Sequence, residues 1–116
     1  QELNARIRVA LRRLARATDG PVEFGAVTID VGKRLVAVNG QEIHLTPIEY
    51  ELLKQLALEA GRVLTHQTLL ERVWGPEYHA ETHYLRPVIT SLRKKLGPQL
   101  IQTEPGVGYR LRVSIP

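Results

Sequence analysis

The spacing of the apolar residues changes near Thr46, from a pattern typical of strands to one typical of helices. This change constrains the fold more than any other feature of the sequence. From Val22 to Leu45 apolar and β-branched residues alternate with polar ones, as they do in strands. Asn39-Gly40 lies between two such runs and predicts a hairpin, because both residues accept positive φ. Beyond Thr46 the apolar residues recur every three or four positions, as in helices. The sequence therefore predicts an α+β fold that begins with an antiparallel sheet of three or four strands.

Local signals define the ends of the first two predicted helices. Thr46-Pro47-Ile48-Glu49 is a helix start in which Thr46 is the N-cap, Pro47 the first helical residue and Glu49 the partner that closes a capping box. This helix is expected to run to Ala60, with Gly61 as its stop. A second helix is predicted from the Thr65 cap to Trp74-Gly75-Pro76.

The third predicted helix follows a loop over residues 75–81, runs from Thr82 or His83 to Leu96, and has two contrasting faces. At 100° per residue, its apolar residues fall on one side: Leu85, Val88, Ile89, Leu92 and Leu96. The opposite side is polar and contains no acid: His83, Arg86, Pro87, Thr90, Ser91 and Lys94. Because proline has no N–H to donate, Pro87 predicts either a late helix start or a kink near Arg86.

The order of the predicted elements is that of a winged helix-turn-helix domain. The runs Leu100–Thr103 and Tyr109–Val113 flank a turn-rich segment and predict a C-terminal hairpin after the three helices. In such domains the last helix lies in the major groove of DNA, which is about 12 Å wide, and the hairpin flanks it. Two alternatives stay open, a basic surface helix without a partner and a winged helix that contacts only proteins.

The positive charge is concentrated in two segments. The chain has 16 lysines and arginines, 12 acids and a net charge of +4. Residues 1–20 carry five bases against two acids, and residues 82–96 carry four bases and no acid. Residues 21–81 between them carry five bases against nine acids. A basic segment on a mildly acidic body is the electrostatic pattern expected for a polyanionic partner such as nucleic acid.

The composition excludes several classes of function. Without cysteine, thiol catalysis, thiolate metal sites and disulfides are ruled out. No run approaches the roughly 18 apolar residues of a membrane span, so a cytoplasmic protein without membrane contact is expected. No catalytic motif is visible, so we expect neither an enzyme nor a cofactor. His79 and His83 have the i, i+4 spacing of zinc ligands, but Pro76 predicts a loop there and disfavours a metal.

The first segment is predicted to belong to a different structural unit. Residues 2–16 have the period of an amphipathic helix, and Thr18-Asp19-Gly20-Pro21 is a breaker cluster. We expect this helix to pack against another copy of the chain or to fray, because an isolated helix of this length is marginal in water. The absence of methionine predicts a piece of a longer polypeptide. The predicted organisation is a residual helix over 1–18, a linker over 19–22 and a winged-helix domain over 23–116.

Five short strings carry a resemblance to a known family. They are His44-Leu-Thr-Pro-Ile-Glu-Tyr50, Gly61-Arg-Val-Leu-Thr65, Leu69-Leu-Glu-Arg-Val-Trp-Gly75, Leu92-Arg-Lys-Lys-Leu96 and Gly106-Val-Gly-Tyr-Arg110. From Phe24 onward the chain resembles the DNA-binding effector domain of OmpR/PhoB-type two-component response regulators. Residues 83–86 and 103–109 are most similar to the KdpE branch, which responds to potassium limitation. Residues 1–16 resemble the last helix of a receiver domain.

The resemblance implies a transcription regulator, and its similarity to the KdpE branch implies control of a potassium-transport operon. It also implies several partners. These are double-stranded DNA carrying a direct-repeat operator, RNA polymerase, the protein's own receiver domain, a cognate sensor kinase and, on DNA, a second copy of the chain. The predicted polymerase-contact loop comprises Pro76, Glu77, Tyr78 and His79. The predicted DNA-binding residues are Trp74, His83, Arg86, Thr90, Ser91, Arg93, Lys94, Thr103, Tyr109 and Arg110.

Two positions qualify this transfer from the family. By resemblance Trp74 and Tyr109 would each donate a hydrogen bond to a phosphate, but Trp74 is equally compatible with a place in the core. Pro105 stands where several family members have an arginine that enters the minor groove, so the sequence departs from the family there.

Overall fold

A computed structural model describes residues 21–113, and within them the predicted order of elements is confirmed. The predicted helix over 2–16 lies outside the described residues. The strands are β1 Val22–Phe24, β2 Val27–Asp30, β3 Leu35–Val38, β4 Gln41–Ile43, β5 Leu64–Thr65, β6 Ile101–Glu104 and β7 Gly108–Leu111. The helices are α1 Pro47–Leu58, α2 His66–Val73 and α3 Leu85–Leu96, with 3-10 helices at Pro76–Tyr78 and Thr82–Tyr84. The domain is the expected α+β winged helix.

The N-terminal sheet has four antiparallel strands in the order β1-β2-β3-β4. The turn between β3 and β4 forms as predicted, with Asn39 at φ 53° and Gly40 at φ 82°. One face of the sheet is buried, and its residues are Val22, Phe24, Val27, Ile29 and Val36. This face closes one side of the core on which the three helices pack.

Helix α1 begins as predicted but ends earlier. The Thr46 Oγ1 accepts a hydrogen bond from the Glu49 N–H at 3.2 Å, and Glu49 Oε1 accepts one from the Thr46 N–H at 2.9 Å. The predicted end at Ala60 is wrong, because the helix stops at Leu58. Glu59 already has the non-helical angles φ −125° and ψ 45°, and the Ala60 N–H bonds to the Ala57 carbonyl in a tightened last turn.

A short strand that the sequence analysis missed joins the C-terminal hairpin to the start of α2. Strand β5 pairs with β7, so the second sheet has the order β5-β7-β6. Thr65 serves both as a β5 residue and as the N-cap of α2, where its Oγ1 accepts from the Thr68 N–H at 3.1 Å. The hairpin is therefore hydrogen-bonded to the helical part of the domain.

Helix α3 starts late, as one of the two outcomes expected from Pro87. The residues Thr82–Tyr84 form a 3-10 turn, and the α-helix begins at Leu85. Pro87 is the third helical residue, where an N–H would have no partner within the helix, so its missing donor costs little. The inner side of α3 is anchored by Leu85, Ile89 and Leu92, each no more than 1% exposed. Burial of each of these side chains contributes about 1.5–3 kcal/mol to the stability of the domain. Val88, which is also predicted on this side, is half-buried.

No helix within the described part of the chain is long and apolar enough to cross a membrane.

Candidate nucleic-acid interface

The outer face of α3 is open to solvent along its length. Arg86, Pro87, Thr90 and Lys94 are all exposed there, and we call these four residues the outer face. They line one groove together with Thr82, His83 and Ser91 of the same segment, His66 of α2 and Tyr109 of β7. Neither Arg86 nor Lys94 makes an ion pair with any other described residue. Both cations are therefore available to a polyanion.

Two further predicted DNA contacts, His83 and Ser91, lie beside the outer face. His83 lies at the edge of the groove, and the Ser91 side chain is turned toward the protein. His83 is exposed, and its Nε2 lies 3.7 Å from Glu81 Oε1. Ser91 is half-buried, and its hydroxyl donates a hydrogen bond to Glu49 Oε2. The structure thus gives Ser91 a partner within the protein in place of the open position expected from its helical phase.

Glu49 is the buried carboxylate of the core and connects α1 to α3. Its side chain is 7% exposed, and its Oε1 accepts from Lys95 Nζ at 2.6 Å as well as from the Thr46 N–H. Burial by itself raises the pKa of Glu49, but the hydrogen bonds from Lys95, Ser91 and Thr46 and the Lys95 charge outweigh it. The resulting pKa of Glu49 is about 2, against an ordinary value of 4.5.

The Glu49 pKa predicts acid-dependent stability. Because the unfolded carboxylate binds a proton more readily than the folded one, this contribution is complete above pH 4.5 and is lost as the pH falls toward 2. Glu49→Gln is expected to lower the free energy of unfolding at pH 7 by about 2 kcal/mol, with a deficit that shrinks between pH 4.5 and pH 3. Urea unfolding of the wild-type chain and the variant, followed by circular dichroism at pH 7 and at pH 3, measures this deficit.

The matched control for this prediction is Glu51→Gln on the same helix. The Glu51 carboxylate lies 3.8 Å from Lys54 Nζ, and its side chain is 31% exposed. A partly exposed pair of this kind is worth at most about 1 kcal/mol, so its loss should cost less than the loss of the Glu49 contacts. Equal deficits for the two variants at pH 7 would contradict the assignment of Glu49 as a stabilising buried charge.

Two predicted DNA contacts, Arg93 and Thr103, are bonded to each other. Arg93 Nη2 donates to Thr103 Oγ1 at 2.7 Å and to the Ile101 carbonyl at 2.9 Å. The Arg93 guanidinium also lies 6.0 Å from the centre of the Tyr109 ring. This arginine therefore joins α3 to the hairpin, and its charge is directed toward β6.

Arg110 and Tyr109 lie next to each other on β7 and differ in exposure. Arg110 Nη2 donates to Gln102 Oε1 at 3.0 Å, and its Nε lies 3.2 Å from Glu104 Oε2. Tyr109 is 8% exposed and packs edge-on against His66, with ring centres 5.7 Å apart. Arg110 is thus paired within the hairpin, whereas Tyr109 forms part of the groove wall.

Trp74 and the predicted polymerase-contact loop form one aromatic cluster. Trp74 caps the C-terminus of α2, is half-buried against the core and has its ring 5.9 Å from that of Tyr84. Tyr78 is half-buried, and its ring centre lies 6.0 Å from that of Tyr84. The remaining loop residues Pro76, Glu77 and His79 are exposed. The loop is therefore held on the domain by Tyr78 and presents three residues to solvent.

The two histidines with metal-ligand spacing do not lie on one α-helix. His79 follows the first 3-10 helix, with its Nδ1 3.2 Å from the Pro76 carbonyl oxygen, and His83 lies within the second. Over residues 21–113 no group of three or more potential metal ligands is found.

Sequence reasoning missed the connections on the flanks of α3. The sequence pattern identifies Glu49 only as a capping residue and gives Lys95 no role. A signal was present, because Ser91 and Lys95 are four positions apart and therefore lie on one side of a helix. The carboxylate that meets them is 42 and 46 positions away in the sequence, and no local pattern connects it to them.

The fold and the open cationic face define a winged-helix domain whose third helix can meet a polyanion. Residues 40–111 match the family described as transcriptional regulatory protein, C terminal. The chain belongs to this family, the OmpR/PhoB-type regulators, as the sequence motifs indicated.

Curated relatives and solved structures agree with this assignment. The KDP operon transcriptional regulatory protein KdpE of Escherichia coli is 47% identical over 94% of this chain and 52% of its own length. The KdpE of Mycobacterium tuberculosis is 40% identical over the same shares, so the chain spans about half the length of these relatives.

The response regulator DrrB of Thermotoga maritima superposes with a TM-score of 0.74 and 36% identity, over 90% of this chain and 49% of that one. The RstA DNA-binding domain of Klebsiella pneumoniae, solved with the RstA box, has a TM-score of 0.74 and 29% identity, over 81% of this chain and 98% of that one.

Proposed function

We propose that this domain binds double-stranded DNA in a sequence-specific manner, with α3 in the major groove and the β6–β7 hairpin beside it. The observation that carries the proposal is the outer face, where Arg86 and Lys94 are exposed and unpaired among the described residues. A helix with its side chains is about 10–12 Å across and fits a major groove of about 12 Å. The buried residues Leu85, Ile89 and Leu92 attach α3 to the core, which leaves the outer face free to enter the groove.

The outer face divides into different roles on DNA. The planar guanidinium of Arg86 suits bidentate contact with the O6 and N7 of guanine, and Thr90 offers a hydroxyl and a methyl group to base edges. Lys94, one turn after Thr90, is placed to meet a phosphate as a point charge. By analogy with the family, Trp74, His83, Thr103 and Tyr109 remain candidates for backbone contacts. Arg93 and Arg110 would first have to leave their partners within the protein.

For the intact protein we propose the organisation of a two-component response regulator. Residues 1–18 would be the last helix of a receiver domain, 19–22 a linker and 23–116 the effector domain. A sensor kinase would act on the receiver, and two copies would bind a direct-repeat operator. The exposed residues Pro76, Glu77 and His79 would face RNA polymerase. The name of the Escherichia coli relative suggests a potassium-transport operon as the target.

Selection of bound duplexes from a randomised pool with the 116-residue chain tests the proposal. We expect a defined consensus to be enriched after several rounds at a stated salt concentration. A module that contacts only proteins would enrich no sequence above the starting pool, and that result would refute DNA recognition.

Substitution of the outer face should separate base reading from phosphate binding. Arg86→Ala is expected to cost about 1–3 kcal/mol on the selected duplex and less on a random duplex, because it removes a base contact. Lys94→Ala is expected to weaken binding to both duplexes by the same factor. Fluorescence anisotropy with labelled duplexes measures all four affinities, and equal losses on both duplexes for Arg86→Ala would refute its role.

A further inference from the structure

The side of α3 next to the outer face is attached to α1 by polar contacts. Ser91 and Lys95 lie one helical turn apart on this side, and both bind the carboxylate of Glu49. Building on the proposed DNA binding, we propose that Glu49 is a positioning residue for recognition. It holds α3 at one rotation about its axis, so that Arg86, Thr90 and Lys94 face the groove.

Glu49 is suited to this task because it is itself fixed. It is the third residue of α1, and its backbone N–H and its Oε1 both take part in the capping box with Thr46. Further along α1, Leu52 and Leu53 face inward and are fully buried. The carboxylate is therefore held by a capped helix start whose inner side is buried in the core.

Two hydrogen-bonded positions fix the rotation of α3 about its own axis more firmly than apolar packing alone. Glu49 Oε2 accepts from Ser91, and Oε1 accepts from Lys95 at 2.6 Å, so each oxygen holds one turn of α3. The inner residues Leu85, Ile89 and Leu92 contribute burial, which is not directional. Since side-chain tips lie about 6 Å from a helix axis, a rotation of about 20° would move them by about 2 Å. Hydrogen bonds to base edges do not tolerate such a displacement.

The arrangement also explains how a carboxylate can lie next to the proposed DNA-binding surface without repelling phosphates. Glu49 is covered, and its charge is matched by that of Lys95, whose side chain is 32% exposed. The pair therefore adds little net charge near the outer face. Lys95 is assigned to Glu49, whereas its neighbour Lys94 is left for DNA.

The two adjacent lysines provide a matched test. In the 116-residue chain, Lys95→Met is expected to lower affinity for the selected duplex about tenfold and affinity for a random duplex less than twofold. Lys94→Met removes the same group from the next position and is expected to lower both affinities by the same factor. The ratio of specific to random affinity therefore falls for Lys95→Met and stays constant for Lys94→Met, a distinction that a general loss of stability would not produce.

Ser91→Ala supplies a second and smaller change at the other oxygen. It should lower the same ratio about threefold to fivefold while the domain stays folded by circular dichroism, so the test does not depend on the Lys95 variant folding. The double variant Glu49→Gln/Lys95→Met should be no worse than Lys95→Met alone, because both changes act on the contact between Glu49 and Lys95 and an amide oxygen can still accept from Ser91.

The outcomes distinguish this inference from the proposed function. If the wild-type chain shows no preference for any duplex, DNA recognition itself fails. If the wild-type chain is selective but the Lys95 and Ser91 variants keep its ratio of specific to random affinity, the positioning role of Glu49 is wrong. A uniform loss on both duplexes for Lys95→Met would make Lys95 a phosphate contact and would equally overturn the inference.

Discussion

Raising the salt concentration from 50 to 200 mM is expected to lower the affinity of this domain for its selected duplex on the order of 100-fold. The expectation follows from release of counterions by a protein that neutralises about four phosphates. The basic segments alone would allow about four to six such contacts. The lower number is preferred because Arg93 and Arg110 are paired within the protein.

Anisotropy titrations at 50, 100 and 200 mM NaCl give the slope of log affinity against log salt, which should be about −3.6. Lys94→Gln is expected to reduce the magnitude of this slope by about 0.9, since one phosphate contact is lost. Arg93→Gln should leave the slope unchanged. A slope close to zero would rule out phosphate contacts by the outer face, and a much steeper one would mean that Arg93 and Arg110 exchange their internal partners for DNA.

Gly108→Ala is expected to destabilise the domain by about 3–4 kcal/mol, a loss typical of severe backbone or packing conflict. Gly108 pairs with Thr65, and a Cβ at this position would lie 1.9 Å from the Leu64 carbonyl oxygen. Strands β5 and β7 would have to separate, which also disturbs the cap of α2. The free energy of unfolding from urea titrations at pH 7 measures the effect.

Gly106→Ala in the hairpin turn is the matched control. Gly106 has φ +75°, but a Cβ there would meet no atom within 4 Å. The cost should be that of a left-handed backbone, about 1–2 kcal/mol. If Gly106→Ala proves as damaging as Gly108→Ala, close approach of β5 and β7 is not what requires glycine at position 108.

The order of elements was predictable because each one carries a local signal. Asn39-Gly40, the Thr46 capping box and the glycines at 61 and 97 mark turns or ends through backbone preferences that tertiary structure did not override. The end of α1 was misplaced by two residues because the tightened turn at Glu59 and Ala60 depends on packing. Strand β5 was missed because two residues show no period, and its existence depends on the distant β7.

The site was predictable only where helical phase alone decides exposure. The positions of Arg86, Thr90 and Lys94 follow from the period of α3. Ser91 lies about 100° from Thr90 around the helix, at the border of this face, and it is turned inward by Glu49. The direction of the Arg93 side chain is decided by Thr103 and the Ile101 carbonyl. These partners come from other elements, so a one-dimensional pattern does not contain them.

Thr65 lies in the sheet that contains the C-terminal hairpin and is also the N-cap of α2. Because it has both roles, the hairpin of one such domain cannot simply be exchanged for that of another. A cassette of residues 101–111 transplanted into a related regulator would bring β7 without the β5 that fits it. The smallest portable unit is therefore the hairpin together with Leu64 and Thr65. A single crossover should therefore lie before residue 64, where it transfers β5, α2, α3 and the hairpin together, and not at the base of the hairpin.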